Sequence, residues 1–415
     1  MKKLLALALA LTLLLSAGSA LADFTLMSNK VEIDAALKAY AALYEAATGV
    51  KVEIITIGGG ADYQGQLKAE RASGHMPEIT VIEGPATYEV WKETIIDLSD
   101  QPWVSDTDVA YYAPDGTVVG FPVAIEGYGL GYNADLLEKA GVDPAGLTNF
   151  AAVKAAFEKI DGMKAELGID AVVSMAASVG TGMTWVTGLH NINVYLTGGL
   201  DYSDTSIIDL MLEGKVDDAR FEAYARYVAL LFEYAEKDVL LTGNYDAQAA
   251  AFASGKTVFI HQGNWLDPTL KTLEANFNIG YAPHAFLDED TDGIFVAPPS
   301  WYIVHDGPNA EEAKAFLAAM AGTPEGHAYM VEEAGMVPAF KSVTLVPDGP
   351  LSKSMVGWAS AGKIYNWQQY KMPDGFGMNT LGSIYELLAS GALDQAQFID
   401  MMKAAIATVP SLLAG

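Results

Sequence analysis

Residues 50–57 read Val-Lys-Val-Glu-Ile-Ile-Thr-Ile, apolar and polar positions alternating before the apolar ones prevail, which predicts a β-strand. Ahead of it, Leu37, Tyr40, Leu43, Tyr44 and Ala47 recur at three- and four-residue steps and share one face of a helix that Gly49 ends. Further apolar runs predict strands at 79–82, near 118–125 and at 258–261, with helices between them, for example over 151–167 and 220–236. Strands alternating with helices imply α/β layers, with sheets covered on both faces and ligands received outside the carboxyl ends of strands. Helix punctuation agrees. Asp267-Pro268 predicts an N-cap and first-turn proline for a segment from Thr269, and Thr323-Pro324 does the same ahead of 325–333, which Gly335 closes. Asp394 with Gln397 forms a capping-box start for a helix over 395–408.

The 415 residues are too many for one ordinary core and predict about two lobes. No Pro-rich linker or internal repeat divides the chain, so it is expected to cross between the lobes more than once. The start is different in kind. Met1-Lys2-Lys3 is basic, the stretch from Leu4 to Leu15 is unbroken and apolar, and Ala20-Leu21-Ala22 precedes Asp23 as an A-x-A site. These are the three parts of a secretory signal peptide, and the apolar run is short of the ~20 residues that span a bilayer. Cleavage after Ala22 is expected to release a soluble chain into a periplasm. With no cysteine at the cleavage point, no lipid anchor is expected there.

Composition narrows the chemistry. Lys and Arg number 24 against 52 Asp and Glu, a net charge of −28, which repels nucleic acid and anionic membrane surfaces. The absence of cysteine removes disulfides, thiolate metal sites and thiol catalysis. Arg71, Arg220 and Arg226 are the whole arginine complement, so a strongly anionic small ligand lacks its usual bidentate clamp. The six histidines show no short metal-ligand spacing. Gly58-Gly59-Gly60 completes no dinucleotide fingerprint, and Gly255-Lys256-Thr257 has Ala250 where a phosphate loop needs glycine. Neither metal nor cofactor is expected.

Three polar-aromatic clusters follow predicted strands: Glu83-Gly84 with Tyr88 and Trp91 downstream, Glu126-Gly127-Tyr128-Gly129, and His261-Gln262-Gly263-Asn264-Trp265. Trp185 near His190 and Asn191, Trp301-Tyr302, and Tyr365-Asn366-Trp367 add aromatic groups. A sugar needs this mixture, because carboxylates, amides and imidazoles match its hydroxyls while indole and phenol rings cover its C–H faces. Two or three charge-assisted hydrogen bonds of roughly 1.5–3 kcal/mol each, with ring contacts of about 1 kcal/mol, approach the ~8 kcal/mol of a micromolar complex. A carboxylate pair is also what a glycosidase uses, so Glu83 and Glu126 leave a secreted hydrolase open. A peptide, polyamine or other cationic ligand is the third reading, against which Gln262, Asn264 and Asn191 favour hydroxyls.

In order and spacing these stretches resemble the family 1 extracellular solute-binding proteins, the carbohydrate receptors of ABC importers. The resemblance runs from Tyr44-Glu45-Ala46-Ala47-Thr48-Gly49-Val50-Lys51-Val52 through Gly120-Phe121-Pro122-Val123-Ala124-Ile125-Glu126-Gly127-Tyr128-Gly129-Leu130-Gly131-Tyr132-Asn133. It continues through Gln262-Gly263-Asn264-Trp265 to the run from Val331 to Phe340. It implies a two-lobed α/β binding-protein fold of the type II kind, with a hinge of several chain crossings and a ligand cleft between the lobes. One crossing is expected near 126–129 and another near Trp301-Tyr302. The lobes are then 23–126 with 303–345, and 127–302 with 346–415, after a signal peptide at 1–22. By the same resemblance Glu83, Glu126, Trp265 and Trp367 stand where relatives touch sugar, and Asn29 and Lys30 are further carry-overs in the loop after the first strand. Tyr128, Trp185, Asn264, Trp301 and Tyr302 complete the expected site. The expected partners are a neutral mono- or oligosaccharide and the membrane permease subunits of an importer, the receptor itself being a monomer that is not an enzyme.

Overall fold

A computed structural model describes residues 23–414. The expected signal peptide over 1–22 lies outside the described residues. Among those described, no helix is long and apolar enough to cross a membrane.

Two mixed sheets organise the chain. The strands are β1 Phe24–Ser28, β2 Val52–Thr56, β3 Ile79–Ile82, β4 Tyr111–Tyr112, β5 Val118–Pro122 and β6 Glu126–Asn133. They continue as β7 Ala171–Ser174, β8 Thr257–Gly263, β9 Ile279–Ala282, β10 Ile294–Ala297, β11 Trp301–Val304 and β12 Ile364–Tyr365. The first sheet has the order β2-β1-β3-β11-β5-β4, the second β12-β10-β6-β8-β7 with β9 also on β6. Pairing is parallel for β1 with β2 and β3 and antiparallel where β11 enters between β3 and β5. The chain therefore passes from the first sheet to the second before β6, returns before β11, and leaves again before β12.

Each sheet has its own core. Under the first lie Leu26, Met27, Ile79, Val81 and Ile82 together with helix Asp34–Thr48. That helix buries Leu37, Tyr40, Ala41 and Tyr44, whereas Leu43 and Ala47, expected on the same face, point to solvent. The reason is tertiary. Its partners come from far along the chain: Tyr40 stacks on Tyr329 at 5.0 Å, and Tyr44 meets Phe316 edge-on at 5.0 Å. Rings from helix Ala310–Gly322 and the turn Tyr329–Glu333 thus choose a narrow stripe. The second core centres on Tyr128, which stacks on Phe295 at 4.8 Å and His190 at 4.9 Å. Burying one such ring contributes roughly 1.5–3 kcal/mol.

Strand β6 reads Glu-Gly-Tyr-Gly-Leu-Gly-Tyr-Asn, glycine at every second position. A Cβ on Gly127 would meet Met355 at 2.7 Å, and one on Gly129 would meet Ile294 at 2.9 Å. The bare face admits helix Pro350–Ser360 against the sheet, so these glycines serve close packing. The predicted strand at 118–125 divides because Val123 N–H donates to Ser300 O and Ile125 N–H to Val337 O. These bonds lay the passages between the lobes side by side as a hinge. The second passage lies ahead of Trp301 and not at Trp301-Tyr302, because both residues are already registered against Ile82 and Val81 in β11.

Capping gives one correction. Asp394 and Gln397 make the complete capping box and Thr323 caps Gly326 N–H, as expected. Asp267 does not cap its own helix. It is the first residue of Asp267–Thr272, and its carboxylate accepts from Leu351 and Ser352 N–H, capping helix Pro350–Ser360, whose own N-cap is the side-chain-less Gly349.

Candidate functional site

A cleft of about 750 Å³ opens between the two sheets, within the size range of small-molecule sites. Its walls differ in chemistry, and each wall follows from where strands end.

The polar wall starts at the carboxyl end of β1. Lys30 N–H donates to Ser28 Oγ, and the chain turns through Val31–Ile33, leaving Asn29, Lys30 and Glu32 facing the cleft. Glu83 follows β3, its N–H bonded to Thr87 Oγ1 and its carboxylate accepting from Asn29 Nδ2 at 3.1 Å. Glu126 was expected past the end of a strand but opens β6 instead, arriving straight from the hinge. Its carboxylate lies 2.6 Å from Lys30 Nζ, with Glu32 3.9 Å from the same ammonium. Both Glu32 and Glu83 are pushed up to about 7. For Glu32 burial leads, opposed by Lys30 and reinforced by Glu126. For Glu83 burial again leads, opposed by Lys30, with Asp374 and Glu126 reinforcing it. Burial pulls Lys30 down, but Glu126 and Glu32 outweigh it and hold the ammonium above its ordinary value.

The aromatic wall comes from the second lobe. Trp265 sits in the turn Asn264–Leu266 that stops β8. Its indole N–H donates to Gln262 Oε1 at 2.8 Å, and Gln262 is held in turn by Gln248. With its donor engaged, Trp265 offers the cleft a ring face. Trp185 approaches it at 6.3 Å and Trp367 at 6.2 Å, both edge-on, and His190 fills the angle between them. Burial holds His190 well below its ordinary value, aided by His261 and Lys30, so the imidazole is neutral. Tyr370 extends the wall beyond Trp367 at 6.4 Å.

The lobes meet at the cleft rim. Gly60, in the loop after β2, abuts Gly182, in the loop after β7: a Cβ on Gly60 would lie 2.6 Å from Gly182 O, and one on Gly182 2.2 Å from Gly60 O. Lys68 reaches Asp374 at 3.4 Å, and a Cβ on Gly84 would touch Tyr370 Cβ at 2.9 Å. These contacts describe a closed arrangement.

Of the residues expected in the site, Asn29, Lys30, Glu83, Glu126, Trp185, Trp265 and Trp367 line the cleft. Four do not. Tyr128 is fully buried beneath the floor, its hydroxyl donating to His190 O, because its position in β6 points into the second core. Asn264 Oδ1 accepts from Gly127 N–H at 2.8 Å and faces a crevice behind Glu126. Trp301 donates to Val109 O and packs on Tyr111, and Tyr302 alternates to the opposite side of β11 within the first core. Gln262 supports Trp265 from below, and Asn191 is buried against the Tyr224 hydroxyl, so neither amide lines the cleft. Sequence reasoning missed Glu32, Asp62, Gln369, Tyr370 and Asp374. Gln369 and Tyr370 follow Trp367 within three residues, a proximity that could have found them. Asp374 pairs across 306 positions of chain and left no local signal.

Most of the chain has known counterparts. A family model described as bacterial extracellular solute-binding protein matches residues 39–355. The melibiose/raffinose/stachyose-binding protein MelE of Bacillus subtilis is 23% identical over 329 residues, covering 74% of this chain and 71% of that protein. Among solved structures, a sugar transporter from Bacillus licheniformis in complex with stachyose superposes with a TM-score of 0.75 at 20% identity, covering 93% of this chain and all of that one. The binding protein RafE in complex with raffinose gives 0.72 at 20% identity, covering 94% and 99%. The two α/β lobes and their multiply crossed hinge agree in fold with these matches, and the family model covers most of the chain: the chain belongs to the bacterial extracellular solute-binding protein family.

Proposed function

We propose that this chain is the receptor of an ABC importer, binding an uncharged sugar of a few units between its lobes and presenting the closed form to a membrane permease. The carrying observation is the pairing of the Trp185–Trp265–Trp367 wall with Asn29, Glu83 and Glu126 across one cleft. Ring faces suit sugar C–H surfaces, and carboxylates and amides suit hydroxyls. Among the described residues, Asn29 Oδ1, the Trp367 indole N–H and both amide atoms of Gln369 are buried without a protein partner, which supports a hydroxylated ligand completing them. Relatives named for melibiose, raffinose and stachyose support the class. In this reading the protein is exported, remains unanchored, works as a monomer, and has its lobe boundaries at the three hinge passages. Isothermal titration with melibiose, raffinose, stachyose and neutral mono- to tetrasaccharides of other linkage should show micromolar binding to at least one. Silence across the panel would remove the proposal.

Hydrolysis is the competing reading. Glu83, a carboxyl that keeps its proton to about pH 7, near the lysine-paired Glu126 gives it one specific observation. Incubation of the pure protein with each bound oligosaccharide separates the two, and unchanged oligosaccharide after long incubation is expected.

Closure should also depend on pH. In the closed form Glu32 and Glu83 hold protons up to about 7, whereas hydrated carboxyls release them near 4.5. Closing therefore takes up protons. Its contribution is complete below about pH 4.5 and is lost as pH rises through about 7. Sugar affinity should fall from about pH 5 to pH 7, by up to about tenfold per pH unit for each carboxyl that titrates, and level off above pH 7. Glu83→Gln should make the profile shallower, leaving the part due to Glu32, and a flat profile in the unaltered protein would refute the coupling.

A further inference from the structure

The ammonium of Lys30 is the centre of a site that has everything a bound cation requires. Glu126 contacts it at 2.6 Å, Glu32 lies at 3.9 Å, and the Trp265 ring centroid is 6.0 Å away. Glu83 lines the same cleft, and the Lys30 side chain is only 15% exposed. Carboxylates around a cation that also faces an indole are the recognition mode of ammonium ligands. Here the protein supplies the cation from its own chain, on the flexible stem of a residue in the loop after β1.

We propose that Lys30 is a specificity-determining residue: a resident cation that fills the place an amine-bearing ligand would take, so that the cleft accepts uncharged sugars and rejects amino sugars. This rests on the sugar-receptor reading above and deepens it by assigning what sets the ligand's charge. Three carboxylates, Glu32, Glu83 and Glu126, surround one ammonium, and the remaining charged neighbour on the facing lobe, Asp374, is engaged by Lys68. His190 on the aromatic side is neutral. Uncharged hydroxyls can bond to these carboxyl groups while Lys30 offsets Glu126, and burial lets Glu32 and Glu83 keep protons up to about 7. An ammonium-bearing sugar would have to take Glu126 and Glu32 from Lys30, which is already seated on them through its own chain, and would leave two cations competing for one set of carboxyl groups.

The test uses Lys30→Met, which keeps the stem and removes the charge, with methylammonium chloride as the probe. The unaltered protein should bind its neutral sugar with no response to methylammonium beyond that to sodium chloride at equal ionic strength. Lys30→Met should bind the same sugar at least roughly tenfold more weakly, because a buried pair has lost one partner. Tens of millimolar methylammonium should recover most of that loss, and sodium chloride should not. Methylammonium should raise the thermal midpoint of Lys30→Met and leave that of the unaltered protein in place, a readout that works even if the variant is fragile. Lys30→Met should also gain binding of a glucosamine disaccharide that the unaltered protein ignores. Undiminished neutral-sugar affinity in Lys30→Met overturns the inference, as does a loss that methylammonium does not recover. Failure of the unaltered protein to bind any sugar would instead remove the receptor reading, so the two failures are distinct.

Discussion

Trp265→Ala is expected to lower sugar affinity by roughly 30- to 1,000-fold, the span of about 2–4 kcal/mol that a central aromatic anchor carries. Trp265 meets Trp185, Trp367 and His190 at once, so removing it opens the whole aromatic wall. Its ring also lies where a Cβ on Gly263 would stand, with Cζ3 1.9 Å from that point, so some stability will be lost as well. Circular dichroism and a thermal midpoint keep the two effects apart. Trp265→Phe should fall between, since it retains a ring face but leaves Gln262 Oε1 without its indole donor. Titration showing unchanged affinity in Trp265→Ala would take this residue out of the site.

Gly182→Ala should cost as much by a different route. The added methyl would sit 2.2 Å from Gly60 O, closer than real contacts allow, and both partners are backbone and cannot swing aside. Gly182 has φ +72° and Gly60 φ +103°, so each position also favours glycine conformationally. The collision exists only while the lobes are together. Thermal stability without sugar should therefore drop by no more than about 1–2 kcal/mol, the left-handed backbone penalty, while sugar affinity falls by roughly 100-fold or more because closure cannot complete. Small-angle scattering should show the unaltered protein contracting on addition of sugar and the variant staying open. Gly60→Ala should behave alike, and the double variant should be little worse than either single one, since both break the same contact. Full contraction of Gly182→Ala would show that this abutment does not gate closure.

Some of the site could be read directly from local order. Glu83 and Trp265 follow strands whose apolar runs are unmistakable, and a side chain just past a strand end must leave the sheet. Glu126 and Trp367 stand both in the polar-aromatic clusters and in the family resemblance, Asn29 and Lys30 in the resemblance alone, and the cleft contains all four. Trp301, Tyr302 and Tyr128 looked equivalent by composition but sit within strands. There a period of two decides which face a side chain takes: Tyr128 and Tyr302 enter the cores, and Trp301 on the opposite face packs half-buried on Tyr111.

By itself the sequence determined the two-lobe α/β class, the places of several strands and helices, the caps at Thr323 and Asp394, and the exclusion of thiol chemistry. All of these depend on periodicity, turn residues or composition, which act within about a dozen residues. Tertiary structure alone decided that Leu43 faces water, since Phe316 and Tyr329 arrive from nearly 300 positions away to choose the buried stripe. It alone lent the Asp267 carboxylate to a helix 83 residues further on, and set Gly60 against Gly182. It also gathered Glu32, Glu83 and Glu126 around Lys30, where burial raises two of the carboxyls. Burial and contact belong to the folded arrangement of distant segments, and no short window of sequence contains them.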